Sequence, residues 1–292
     1  MKRIFLFVTL LAITTVASSQ KTYNLQFKPK QGEKYDAFTT SKATITQSVM
    51  GQEMVMGMDY DITTLYEIGK EGNNTALNMT YDKMVMTMDA MGQKVEMSSD
   101  DPDESNPASK GFRALKGAKV SVILNANGEV MDVKGTDELA NKFGGMSEME
   151  KETLKSFISK ESLKGTTEMT MKIFPGKPVK VGDTWTVVSS IETPYKLTSN
   201  NTYKLVKVEN GVAFLDVTGT VSTGGAQTMK SGGMEMTVDL AGEQNGTLQV
   251  DEATGLSKNA RIKQNLKGKM GVMGQDVPMT VVSDTKVVLK KK

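Results

Sequence analysis

The residues best placed to do chemistry in this chain are methionines. Met54, Met56 and Met58 alternate along one stretch and Met84, Met86 and Met88 along another, so an extended backbone turns each trio to one face. Three thioethers on one face have two uses. Soft sulfur ligands can hold Cu(I). Alternatively, flexible unbranched side chains can fill a core, or line a wall that adapts to varied acyl chains. The sequence has 22 methionines but no histidine and no cysteine. Without histidine to complete a copper site the apolar reading is preferred, and no metal or other cofactor is expected.

The same absences remove nucleophile–His pairs, His-ligated metals, thiol chemistry and disulfides. Catalysis would fall to carboxylates, Lys, Tyr or Ser. Asp59 and Asp61 share a strand face, as Asp101 and Asp103 would in an extended segment, and two carboxyls could in principle hydrolyse a glycoside. The first pair fits a solvated face and the second a loop, so no catalytic residue is assigned and a non-enzyme is expected. Trp185 is the only tryptophan. With Asp183 it could make a binding pair. The simpler reading is that Gly182-Asp183 turns the chain and Trp185 buries its ring as a strand begins, with Tyr35 as its counterpart upstream.

Residues 1–19 read as a secretory signal. Lys2 and Arg3 open it, an apolar run over 4–13 follows, and Ala17-Ser18-Ser19 offers a small-residue cleavage site before Gln20. The apolar run falls short of the about 20 residues that a bilayer span needs. With no cysteine to carry a lipid, the expected product is a periplasmic or secreted protein rather than a lipoprotein. Lys2 and Arg3 also account for the formal charge of +2. A neutral mature chain gives no electrostatic case for nucleic acid or an anionic membrane surface.

The elements that must position these residues read as strands. Apolar and polar residues alternate over 49–58, 84–88, 234–238 and 281–289, the period of a half-buried strand. Met50-Gly51-Gln52, Met91-Gly92-Gln93 and Met273-Gly274-Gln275 read as hairpin turns, as do Lys70-Glu71-Gly72-Asn73-Asn74 and the stretches ending at Gly128, Gly211 and Gly255. These signals recur in order, which predicts two duplicated halves. Gly32-Glu33-Lys34-Tyr35 answers Gly182-Asp183-Thr184-Trp185, residues 66–80 answer 203–218, and the Gly128 hairpin answers the Gly255 hairpin. Between the halves, Ser147-Glu148-Met149-Glu150 resembles a capping box. Met149, Leu154, Phe157, Ile158 and Leu163 follow at helical spacing. A shorter helix over 137–143 would be capped by Thr136 and stopped by Gly144-Gly145. Residues 100–110 read as an exposed loop.

Phe174-Pro175-Gly176-Lys177-Pro178-Val179-Lys180-Val181-Gly182-Asp183-Thr184-Trp185 resembles the signature phrase, Pro-x-x-Pro-Val-x-x-Gly-Asp-x-Trp, of a family of secreted Bacteroidota proteins of unknown function. The resemblance implies an exported, two-part β architecture and brings no activity.

The expected protein is therefore all-β, a curved antiparallel sheet or half-barrel built from two duplicated halves over 20–135 and 165–292. A small helical insertion over 136–164 lies between them. Its expected ligand is an apolar small molecule or lipid, held by Met54, Met56, Met58, Met84, Met86, Met88 and Trp185. The alternative is a solid-cored structural or interaction module of the cell envelope, its protein partner unspecified.

Overall fold

The computed structural model describes residues 21–49, 51–143, 146, 151, 158–192, 195–231, 234–272 and 274–292. The signal-like segment and the capping-box pattern at 147–150, with Leu154 and Phe157, lie outside the described residues.

The chain is mostly β. In order it forms β1 (Thr22–Tyr23), β2 (Lys34–Val49), β3 (Gln52–Glu71), β4 (Asn74–Ala90), β5 (Gln93–Ser98), β6 (Lys119–Leu124), β7 (Val130–Lys134), β8 (Val179–Lys180), β9 (Thr184–Glu192), β10 (Lys196–Glu209), β11 (Val212–Ser222), β12 (Gln227–Ser231), β13 (Met234–Asp251), β14 (Ser257–Val272) and β15 (Gln275–Lys291). The period-2 alternation and the β-branched residues favour these long strands. Gly51, Gly92 and Gly274 take positive φ at the tight turns that fold them into hairpins.

β1 and β8 pair as a short ribbon, and the other strands form one 13-stranded antiparallel sheet. Its order is β7-β6-β4-β3-β2-β15-β14-β13-β11-β10-β9, with β5 beside β4 and β12 beside β13. The last strand, β15, joins β2, so the two halves meet along Met279–Lys291 and Tyr35–Gln47. The entry to each half repeats one hydrogen-bond pattern. Gly32 N–H donates to Ile68 O at 2.8 Å and Ile68 N–H to Glu33 O at 2.9 Å. Gly182 N–H donates to Leu205 O at 2.7 Å and Leu205 N–H to Asp183 O at 3.0 Å. Just beyond, Tyr35 pairs across strands with Tyr66, and Trp185 with Tyr203.

The sheet is strongly curved without closing. β3 and β10 stand six strand steps apart in its order. On a flat sheet that would separate them by about 29 Å. Tyr66 of β3 and Tyr203 of β10 nevertheless line the same small cavity.

Three helices are described: α1 (Lys110–Leu115), α2 (Thr136–Asn141) and α3 (Lys160–Met171). α3 packs against both edge strands, β9 and β7, and so bridges the seam where the sheet stays open. Ser159 caps it by accepting a hydrogen bond from Ser162 N–H at 3.1 Å. Gly165 permits the close approach: a Cβ there would lie 2.6 Å from Ser190 O and 2.7 Å from Ile191 Cα of β9. On the other side Val130 N–H of β7 donates to Glu168 Oε1 at 3.0 Å. α3 continues beyond 164, where the sequence pattern ends the insertion. Its Gly-Thr-Thr stretch is poor in helix formers, but the tertiary contact at Gly165 overrides that preference.

α2 differs from its expected cap, since its N-cap is Gly135 and Thr136 is already helical. The 100–110 loop is ordered by Arg113, whose guanidinium donates to the carbonyls of Asp103, Glu104 and Asn106 at 2.9, 2.8 and 3.0 Å. One apolar core fills the base of the fold, where Leu77, Val122, Leu124 and Leu205 are fully buried with Phe143 and Trp185.

Candidate functional site

The register aligns side chains into rows that cross the sheet. One row runs Met86, Tyr60, Ser41, Thr285, Ile262, Gly246, Val217, Tyr203, Trp185. From this row to the hairpin tips, no inward position of these strands carries Asp, Glu, Lys or Arg. The charges of the same stretch alternate onto the outer face. Lys42 there approaches Asp59 at 3.5 Å, Lys269 approaches Asp276 at 2.6 Å, and the Arg261 guanidinium is bidentate to Asp284. The outcome is a wide sheet whose inner face carries no charge from this row to the tips.

The base of that face is closed; its upper part is buried at Val221, Leu240 and Leu266 and opens on the β3–β4 side, where Met54 is exposed and Met56 half-buried. At the base, α3 and the segment after it cover a cavity of about 240 Å³ lined by Tyr66, Met171, Ile173, Tyr203, Leu248 and Ile262. Burial pushes the Tyr66 and Tyr203 phenols up to about 12, so both stay neutral hydrogen-bonding groups at ordinary pH. A larger groove of about 650 Å³ is lined by charged residues including Lys34, Glu67, Lys134 and Glu138. It mixes these charges with Leu65, Met79 and Val120, whereas the smaller cavity is lined by no charged residue.

The upper boundary of the small cavity is polar. Ser283 Oγ donates to Gln264 Oε1 at 3.3 Å and Gln264 Nε2 to Gln244 Oε1 at 2.8 Å. Gln244 Nε2 donates in turn to Ser199 Oγ at 2.8 Å and to Asn201 Oδ1. Gly219 sits in this row between Asn201 and Gln244. A Cβ at Gly219 would collide with Asn201 Oδ1, so the glycine leaves room for the amide contact. Below, Ser41 Oγ and Thr285 Oγ1 lie 2.8 Å apart. Sequence reasoning missed this row. Its signal was a glutamine at 244 and another at 264, each on the apolar parity of its strand.

The six strand methionines share the inner face. Met58 pairs with Met88, Met84 with Ile62, and Met86 with Tyr60. Met97 of β5 extends the patch by pairing with Met86. Met84 is buried at 5% exposure, Met54 is 40% exposed, and Met56, Met58, Met86 and Met88 are half-buried. None of the six lines the small cavity. Met84 and Met86 lie on the base side of the polar row, level with Thr39 and Ser41, Met58 and Met88 continue the row itself through Ala43, and Met54 and Met56 lie beyond it. Trp185 lies on the same face at the opposite edge, buried, stacked on Tyr203 with ring centroids 6.0 Å apart. Its Nε1–H donates to Ile173 O at 2.8 Å. Trp185 therefore sits behind the cavity-lining Tyr203, and Asp183 makes the turn before it by accepting from Lys180 N–H at 2.8 Å.

Asp59 and Asp61 face outward. Asp101 and Asp103 belong to the loop held by Arg113. Among the described residues no group of three His, Cys, Asp or Glu side chains could hold a metal ion. Among the same residues no helix is long and apolar enough to cross a membrane.

Comparisons with known proteins agree with this architecture. Residues 72–257 match the model of DUF6263, a family of unknown function, and the chain belongs to that family. No curated protein sequence matches it. A solved structure of lipid–protein interactions in lipovitellin is similar in fold, with a TM-score of 0.52 at 9% identity. The similarity covers 89% of this chain and 25% of the lipovitellin chain, so this protein spans a quarter of that relative's length. An outer membrane channel from Pseudomonas putida F1 aligns over 89% of this chain and 96% of its own at 8% identity, but its TM-score of 0.25 is too low for a shared fold.

Proposed function

We propose that this member of the DUF6263 family is a non-enzymatic, exported envelope protein that binds or carries an apolar ligand such as a lipid on the inner face of its sheet. The observation that carries this reading is the uncharged inner face, which continues as half-buried methionine beyond the covered base. A sheet needing only a solid core would end where its cover ends. Here β3 runs on from Tyr60 to its tip at Gln52, a reach of roughly 26 Å. An apolar surface left open on that scale marks an interaction site. Methionine suits it, because an unbranched thioether adapts to chains of differing shape. The fold shared with lipovitellin, a structure concerned with lipid–protein interactions, supports the same reading.

The test is native mass spectrometry, with lipid extraction, of the mature protein isolated from its own periplasm or medium. A near-stoichiometric apolar mass is the expected result. A clean apo mass, unchanged after incubation with envelope lipids, would overturn the carrier reading in favour of a protein-interaction module. Val55 and Val282, 53% and 48% exposed, would then be the first contacts to examine on the outer face.

A further inference from the structure

The polar row across the inner face narrows the chemistry of the ligand. Asn201, Gln244, Gln264 and Thr285 all line the small cavity. Beyond them the face is apolar again, from buried Leu240 and Leu266 to half-buried Met56. A ligand reaching from the cavity onto the methionine face must therefore lay some part of itself along hydrogen-bonding groups. Those groups have capacity to spare. Gln264 donates one of its two amide hydrogens, to Gln244, and accepts once, from Ser283. Among the described residues no Lys or Arg faces this stretch. A carboxylate or phosphate placed there would lose its water without gaining a counter-charge. A hydroxyl, ester or amide would find its partners in place.

Resting on the carrier reading, we infer that the site selects an uncharged lipid, its neutral polar group hydrogen-bonded along Gln264 and Thr285 and its apolar parts on either side of the row. The delipidated full-length mature protein is loaded with the neutral fluorophore N-phenyl-1-naphthylamine, which is then displaced at pH 8 by monoolein or by oleate, two ligands with one acyl chain and different heads. Monoolein is expected to displace it at a concentration at least about tenfold lower, the penalty falling on the buried carboxylate. Gln264→Leu is expected to weaken monoolein by about three- to tenfold while the fluorophore binds as before. Ser283→Ala, a smaller change at the half-buried end of the row, gives the same test with a smaller shift if Gln264→Leu does not fold. Equal potency of oleate, or an unchanged gap in the folded variants, overturns the selectivity while leaving the carrier reading intact. A protein that never takes up the fluorophore overturns both.

Discussion

The base of the sheet and the tips of β3 and β4 are built from different apolar residues. At the base the inward positions are Leu77, Val122, Leu205, Leu215 and Trp185, buried beneath α2, α3 and their neighbouring segments. Toward the tips of β3 and β4 they are Met54, Met56, Met58, Met86 and Met88, all partly exposed. Branched and aromatic side chains have few rotamers and pack into one arrangement, as a solid core requires. Methionine has three rotatable bonds and packs in many. The difference separates a region selected for one fixed shape from a region selected to meet changing shapes, although the same strands run through both.

Substitutions that exchange the behaviour of the two regions would break this comparison. The largest effect is expected from Leu205→Ala, at a fully buried base position: a loss of about 2–5 kcal/mol in denaturant unfolding, because the surroundings cannot collapse into the cavity. A loss under 1 kcal/mol would mean the base is as loose as the tips. Next is Gly165→Val, which drives a side chain into the β9 backbone and should cost about 1–3 kcal/mol. It should also loosen the seam, read as faster amide exchange in β7 and β9.

Alkali should act through the buried tyrosines, two of which line the cavity at the base. The Tyr66 and Tyr203 phenols are raised by burial to about 12, against an ordinary value of 10.0. Their stabilising share is therefore complete below pH 10 and is lost as pH rises toward 12. Tyr66→Phe with Tyr203→Phe should lessen that alkaline decline in melting temperature, the rest coming from raised tyrosines such as Tyr60 and Tyr81, and an unchanged decline would place its origin elsewhere. The smallest stability effect belongs to Met54→Ser, under about 0.5 kcal/mol at a site 40% exposed. Combined with Met56→Ser and Met86→Ser it should cut fluorophore uptake severalfold. A sharp fall in melting temperature with uptake preserved would instead make these residues core.

The alternation of apolar residues made the long strands and the shared face of the methionines legible, and the Gly51, Gly92, Gly128 and Gly211 turns fixed the hairpins between them. Local pattern could not show that β15 would return to β2, because pairing between residues such as Ser41 and Thr285 is a property of the whole chain. The end of α3 was hidden for a related reason. Gly165 reads as a helix breaker until β9 lies against it. The polar row was hidden because Gln244 and Gln264 are single interruptions in apolar parity, and only the strand order brings them together.

The thioether surface also exposes the protein to one kind of damage. Oxidants add an oxygen to methionine sulfur and turn a pliant apolar side chain into a polar sulfoxide, a change that reductases reverse. The leucines and valines of the base offer no such atom, and core methionines such as Met79 are shielded by burial. An oxidative burst should thus strip the inner face of its affinity for apolar matter while leaving the fold standing, and enzymatic reduction should restore it. Peroxide titration followed by fluorophore uptake and melting temperature on one sample would show the first property lost before the second.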